Sequence, residues 1–254
     1  MCIKKKSVFV LAAAFLIFVH GICFAKQNVV VVGDTSYPPY SYLEDGQAKG
    51  IYVDILEAAF AKMPDYDVEI KMLPWKNGMN SVKIGKHVAI FPPYFTEERL
   101  PWMLFSEPIL KEEVVVFGKA DKLDGKTNWP EDFYGSKIGL NQGFNPSSMG
   151  GEEFANAVKD GKISLEAVGN NEQNLKKIKV GRIDFYLNDK MIDTSSFPLI
   201  KRGIVANLNN GYLGFTKSDA NFKFIPDFKQ QFDKIIKQMK ESKEIDNIVN
   251  KYLK

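Results

Sequence analysis

Apolar and polar positions along this chain follow two alternating rhythms, one of period two and one of period 3.6, which predicts an α/β protein. Val29 to Val32 is an unbroken β-branched run, the pattern of a strand buried on both faces. A loop from Gly33 to Tyr40 follows, at the strand end where open α/β sheets place their ligands. Beyond the Asp45-Gly46 turn, Tyr52, Ile55, Leu56, Ala59, Phe60 and Met63 recur on one helical face after Gly50. Asp67 to Met72 alternates as a strand, Trp75 to Ile84 reads as a helix ended by Gly85, and Val88 to Phe91 as a short strand. Val114 to Phe117 gives one more strand.

The polar, turn-rich stretch Gly118 to Trp129 then predicts a crossing between lobes. A second α/β series begins at Lys137 to Leu140. It continues through a polar loop at Asn141 to Ser148, a helix carrying Phe154 and Val158, a strand from Ser164 to Val168, and a helix from Glu172 to Val180. Phe185 to Leu187 is a strand ending at Asn188-Asp189. After a strand near Ile204 and Val205, the turn residues Asn207 to Gly211 predict a second crossing, and Tyr212 to Phe215 a strand. Phe228, Phe232, Ile235, Ile236 and Met239 mark one C-terminal helix; Ile245, Ile248, Val249 and Tyr252 mark another. The expected organisation is one lobe from 26–116 plus 207–254 and a second from 117–206. Two crossings form a two-strand hinge that lets the lobes close over a cleft.

The N-terminus changes how composition is read. Lys4, Lys5 and Lys6 precede an apolar run from Val8 to Val19, and Cys23-Phe24-Ala25 offers the small residues of a cleavage site. The run is too short to span a bilayer, so residues 1–25 are expected to be a cleaved secretory signal. A lipid anchor on Cys23 is the rival, weakened by Ile22 where such a site wants a small residue. Removal of the segment takes three Lys and no acid from a chain with 34 bases and 31 acids, leaving it formally neutral. Nucleic acid is therefore not an expected partner. Both cysteines, Cys2 and Cys23, leave with the signal, and of the two histidines only His87 remains. That argues against a disulfide framework, a thiol nucleophile, a zinc site and a Ser-His-Asp triad, while carboxylate chemistry stays open. His87 reads as a structural group.

One stretch concentrates binding chemistry. Phe91-Pro92-Pro93-Tyr94-Phe95-Thr96-Glu97-Glu98-Arg99 must turn at its prolines. Thr96 suits a helix N-cap, with Glu97 and Glu98 in the first turn. Arg99 follows, its planar guanidinium shaped to grip a carboxylate through two parallel hydrogen bonds.

With these segments placed, the chain resembles the extracytoplasmic solute-binding proteins of ABC uptake systems, the polar amino-acid type (family 3). The landmarks lie in order: Tyr37-Pro38-Pro39-Tyr40, Gly50 to Ile55, Trp75, Gly85-Lys86, Thr96 to Arg99, Phe105-Ser106-Glu107-Pro108, and Gly181-Arg182-Ile183-Asp184 running to Asp189. The resemblance implies a type II periplasmic-binding-protein fold, two αβ lobes joined by a two-strand hinge. It implies no enzyme activity, cofactor or metal. The expected partners are a small amino-acid-like ligand and an inner-membrane ABC permease, and the protein is expected to be a periplasmic monomer.

The resemblance also implies roles. Arg99 matches the Arg that holds a ligand carboxylate, and Asp189 the acid that pairs with an ammonium, although Asp also suits the cap of a following helix. Tyr37 and Trp75 match aromatic walls. Asn141, Phe144 and Asn145 match a loop at a helix start suited to an anionic end. Asp34 and Tyr94 complete the candidate set. Trp102 and Tyr40 read as packing, and Asp54 and Asp184 as structural. Two departures stand out: Pro92 and Tyr94 occupy places where the family has Gly and Thr, so a modified amino acid or another small carboxylate is as admissible as a standard one. The rivals are a dehydratase-like enzyme on the same fold and a receptor that signals to a membrane partner.

Overall fold

The computed structural model describes residues 25–218 and 222–253; the predicted signal segment, Ala25 apart, lies outside them. Strand β1 (Gln27–Asp34) is followed by three short strands, β2 (Ser36–Tyr37), β3 (Ser41–Glu44) and β4 (Gln47–Lys49), which form a small antiparallel sheet of their own. Then come α1 (Ile51–Phe60), β5 (Tyr66–Leu73), α2 (Trp75–Lys83), β6 (Ala89–Phe91) and β7 (Met103–Phe105). The second half carries β8 (Leu110–Lys119), α3 (Ala120–Leu123), β9 (Lys137–Asn141), α4 (Pro146–Lys159), β10 (Ser164–Val168), α5 (Asn171–Lys179), β11 (Phe185–Asp189) and β12 (Ile200–Gly211). The chain ends with β13 (Gly214–Thr216), α6 (Ile225–Glu241) and α7 (Glu244–Asn250).

Two five-stranded sheets organise the molecule. The first runs β5-β1-β6-β13-β7 and the second β10-β9-β11-β8-β12. In the first, β1 lies parallel to both β5 and β6, which buries it centrally and explains its unbroken Val run. Each sheet is covered on both faces. On one side of the first sheet the apolar stripes of α1, α6 and α7 pack together, with Ile55, Phe228, Phe232 and Ile236 excluded from solvent; on the other, Trp75 and Val82 of α2 pack on Val32 and Ile90. In the second, Phe154 and Met149 of α4 meet Ile138 and Phe185, while Leu175 and Ile178 of α5 meet Phe117 and Tyr186. Burying one such side chain contributes roughly 1.5–3 kcal/mol, so each lobe has a core of its own.

The expected two-lobed α/β architecture is the one observed, with the C-terminal helices returning to the first lobe. The crossings sit elsewhere than the polar stretches suggested. Strand β8 pairs with β12 from Leu110–Gly211 to Lys119–Ile200 and with β11, so the whole of it lies in the second sheet. The chain changes sheets over Ser106 to Ile109 and returns through Tyr212 and Leu213. Both crossings are held by backbone bonds, Ser106 N–H to Leu213 O (2.9 Å) and Ile109 N–H to Gly211 O (2.8 Å). The polar stretch after β8 holds α3 and a surface loop. Glu97 to Arg99 forms only a single 3-10 turn, and Thr96 caps nothing with its side chain.

Candidate functional site

The two lobes meet over a small cavity. Asp34, Tyr37, Trp75, Pro92, Tyr94 and Arg99 line it from the first lobe, and Phe144, Asn145, Ser148 and Met149 from the second. Its volume is about 20 Å³, room for roughly one water molecule. As it stands, the cavity is too small for a ligand the size of an amino acid.

Each wall has a local cause. Asp34 sits at the C-terminal end of β1 and Tyr37 in the β2 hairpin just beyond it, the end where the parallel strands open. Trp75 begins α2 behind Pro74, whose fixed φ serves as the helix N-cap position. On the second lobe, Asn145 caps α4: its side-chain oxygen accepts from the N–H groups of Ser147 (2.8 Å) and Ser148 (3.2 Å). Phe144 is thrust across the cleft by Gly143, whose φ of +86° suits glycine and whose missing Cβ would lie 3.2 Å from the Trp75 ring. Phe144 meets Tyr37 edge-on (centroids 5.7 Å apart) and Trp75 likewise (6.5 Å). Asn145 closes the other side, donating from Nδ2 to Glu98 Oε2 at 2.8 Å.

The polar groups of the cavity are held incomplete. Arg99 is only 6% exposed, donates from Nη1 to the Tyr94 carbonyl, and forms no ion pair among the described residues. Burial lowers its pKa to about 10, against the pull of Glu98, so it stays cationic at neutral pH. Asp34 is also buried. Burial raises its pKa to about 7 even though backbone N–H groups of Ser36 and Trp75 pull it down. The Trp75 indole N–H is buried without an acceptor among the described residues. Arg99, Asp34 and Trp75 all line one cavity, a buried cation, a buried acid and an indole whose N–H has no acceptor among the described residues, which suits a polar ligand with an anionic end.

Two expected site residues lie apart from this cavity. Asn141 lines an adjoining one with Ser36, Lys76 and Gln142, and its side chain joins Asn171, Asn174 and Tyr186 in a buried network. Asp189 is fully buried, and it accepts from Tyr40 Oη (2.7 Å), Met191 N–H (2.7 Å) and Glu113 N–H (3.2 Å). No helix follows it, so its capping role is to a turn.

Sequence reading missed Glu112. Only 1% exposed, it accepts from Tyr37 Oη (2.7 Å) and Tyr94 Oη (2.6 Å) on one oxygen and from Tyr52 on the other. Lys111-Glu112-Glu113 reads as a solvated charge run. The available signal was its spacing from Val114 and Val116, which puts it on their face of an alternating strand. Tyr40, set aside as packing, is likewise a donor to a buried acid.

A profile described as bacterial extracellular solute-binding proteins, family 3, matches residues 29–254. A probable amino-acid-binding protein of Bacillus subtilis (strain 168) is 26% identical over 265 residues, covering 99% of this chain and 96% of the relative. Among solved structures, a Streptococcus mutans structure concerned with glutathione import superposes with a TM-score of 0.75 at 18% identity, covering 90% of this chain and 95% of the other. A histidine kinase sensor domain with similarity to periplasmic binding proteins gives 0.74, also at 18% identity, covering 90% and 96%. At such identity these two attest the fold alone. The match of the profile across nearly the whole chain carries more: this chain belongs to the bacterial extracellular solute-binding proteins, family 3.

Proposed function

We propose that the protein captures a small amino-acid-like solute bearing a carboxylate between its lobes and delivers it to an inner-membrane ABC permease from the periplasm. The observation that carries this reading is Arg99, a buried guanidinium in the interlobe cavity with no carboxylate partner among the described residues. Two charge-assisted hydrogen bonds from it contribute roughly 1.5–3 kcal/mol each, a large share of the about 8 kcal/mol that micromolar affinity requires. The B. subtilis relative, named a probable amino-acid-binding protein, supports the ligand class.

The ammonium partner in this reading is Asp34, which shares the cavity with Arg99, whereas Asp189 is satisfied behind Tyr40. An ammonium beside Asp34 would favour the ionised carboxylate that burial disfavours. Tyr37, Trp75, Tyr94 and Phe144 supply the walls and Asn145 the far rim. The family match and the B. subtilis relative's name, both of binding proteins, favour a receptor over a catalyst.

A thermal-shift screen of the exported protein against the standard amino acids and a set of small carboxylates tests the proposal. Binding to the folded state at a hundredfold excess over the dissociation constant adds about 2.7 kcal/mol of stability, so a true ligand raises the melting temperature. Stabilisation by amines that lack a carboxylate, with none by carboxylates, would overturn it.

A further inference from the structure

Behind the cavity lies a cluster that ligand contact alone does not require. Tyr37, Tyr40 and Tyr52 are buried in the first lobe, and Tyr94, on the chain after β6, is buried at the crossing, where its backbone bridges to Gly211. The acceptors of their hydroxyls, Glu112 on β8 and Asp189 on β11, are both buried and both belong to the second sheet. Three tyrosines of one lobe, with Tyr94 at the crossing, therefore clasp two carboxylates of the other, and Glu112 stands two residues past the point where the chain enters the second sheet. Gly211, at the return crossing, leaves the space: a Cβ there would lie 1.8 Å from Tyr52 Oη and 2.8 Å from Glu112 Oε1.

Among the described residues no cation is ion-paired within the clasp, although the nearby charge of Lys190 favours the Asp189 anion. No Lys, Arg or His pairs with Glu112 or Asp189 among the described residues; Lys190, beside Asp189 on the chain, pairs with Glu113 at 2.9 Å. On Glu112's own strand, Lys111 is exposed and Glu113 is turned to that Lys190. Burial pushes Asp189 up to about 6, but two backbone N–H groups, which can only donate, pull against that rise and leave it the less readily protonated of the pair. Glu112 is held by hydroxyls, which donate or accept, and Tyr37 and Tyr94 bond each other at 2.9 Å with either as donor. The hydrogen bonds around Glu112 can therefore be completed with or without a proton on it. Two anions buried together without a paired cation are unfavourable, and one proton removes the conflict.

We propose that Glu112 is a positioning residue for ligand capture, and that closing the lobes onto it takes up a proton which opening releases. Water solvates both carboxylates when the lobes are apart; the tyrosine clasp replaces that water when they close. Burial and the charge of Asp189 both push Glu112 upward from the ordinary carboxylate range, in the same sense. Tyr37 and Tyr94 also line the ligand cavity, so the proton reports on the walls that a ligand touches. The inference rests on the reading that the lobes open and close.

Small-angle scattering of the ligand-free protein between pH 5 and 8.5 tests it, with a parallel set at pH 7 carrying, at millimolar concentration, each standard amino acid and each small carboxylate of the thermal-shift screen. The expected result is a larger radius of gyration at high pH, lost in Glu112→Gln. Tyr52→Phe, which removes one hydroxyl from the anion and leaves the cavity lining intact, should enlarge the opening at pH 8.5 and keep the variant testable if Glu112→Gln does not fold. A solute that compacts the protein while pH does nothing overturns the proton link alone. A profile unmoved by both overturns hinge closure and the link with it. A pH response that survives Glu112→Gln but disappears in Asp34→Asn assigns the proton to Asp34 and also overturns the proposal.

Discussion

Phe144 meets Trp75 edge-on, ring centroids 6.5 Å apart and planes at 80°, so a side chain of the second lobe completes the aromatic wall of the first. The same ring abuts Tyr37 at 5.7 Å. Each aromatic contact adds about 0.5–1.5 kcal/mol beyond its buried area. Phe144→Ala should therefore weaken the closed, ligand-holding form by about 1–3 kcal/mol, and because Phe144 also borders the cores of both lobes, the melting temperature of the ligand-free variant is measured alongside. Titration calorimetry with the solute that gives the largest thermal shift checks this. Unchanged affinity would mean that Phe144 packs beside the site without forming part of it.

Arg99 can be separated from a merely structural cation by comparing two replacements. Arg99→Ala removes the charge and the fork, and should cost a carboxylate ligand about 2–5 kcal/mol, as truncating one member of a buried charge pair does. Arg99→Lys keeps the charge but cannot present two parallel donors, so it should recover only part of the loss. Full recovery by Lys would show that the site reads charge without bidentate geometry. Equal affinity in all three proteins would remove Arg99 from the site.

Asp34 and Asp189 make opposite predictions under one test. Asp34 shares the cavity with Arg99, while Asp189 reaches it only through Tyr40, which stacks on Tyr37 at 5.1 Å. Asp34→Asn should weaken zwitterionic ligands far more than simple acids. Asp189→Asn should weaken both to a similar degree, because it loosens the clasp between the lobes without touching an ammonium. The reverse pattern would return the ammonium role to Asp189.

What the chain discloses of itself follows from how local each cause is. The Val29 to Val32 run, the helical stripe from Tyr52 to Phe60 and the two C-terminal helices are set by periodicity, and they fold as their patterns say. The small sheet of β2, β3 and β4 was hidden because Tyr37-Pro38-Pro39-Tyr40 has the composition of a loop. Strand β7 was missed, and the first crossing misplaced, because the real crossing is the short Ser106 to Ile109 segment, with no polar tract to mark it. Arg99 was legible as a shape matched to carboxylates, and the Thr96 to Arg99 turn as a place to present it. Glu112 was not: its role depends on three tyrosines that come from far along the chain, at separations of 75, 60 and 18 residues. Only folding brings their hydroxyls to one carboxylate.

The buried carboxyls give stability a definite dependence on pH. Asp34, pushed up to about 7 by burial, binds its proton more tightly folded than unfolded, and Glu112 is shifted in the same direction. Their favourable contribution is complete below the ordinary carboxylate range and is lost as pH rises toward 7. Asp132 runs the other way, because the N–H groups of Asn128 and Thr127 hold it low; its contribution is present above the ordinary range and lost as pH falls. The two windows do not overlap, so they can be read separately. The melting temperature of the ligand-free protein should be higher at pH 5.5 than at pH 8. Asp34→Asn should shrink that difference, since a neutral side chain feels no penalty as the pH rises, and Asp132→Asn should leave it unchanged while reducing stability above pH 4. A melting temperature that climbs from pH 5.5 to pH 8 would mean that Asp34 is ionised at little cost, and with it the argument that its charge awaits an ammonium would fall.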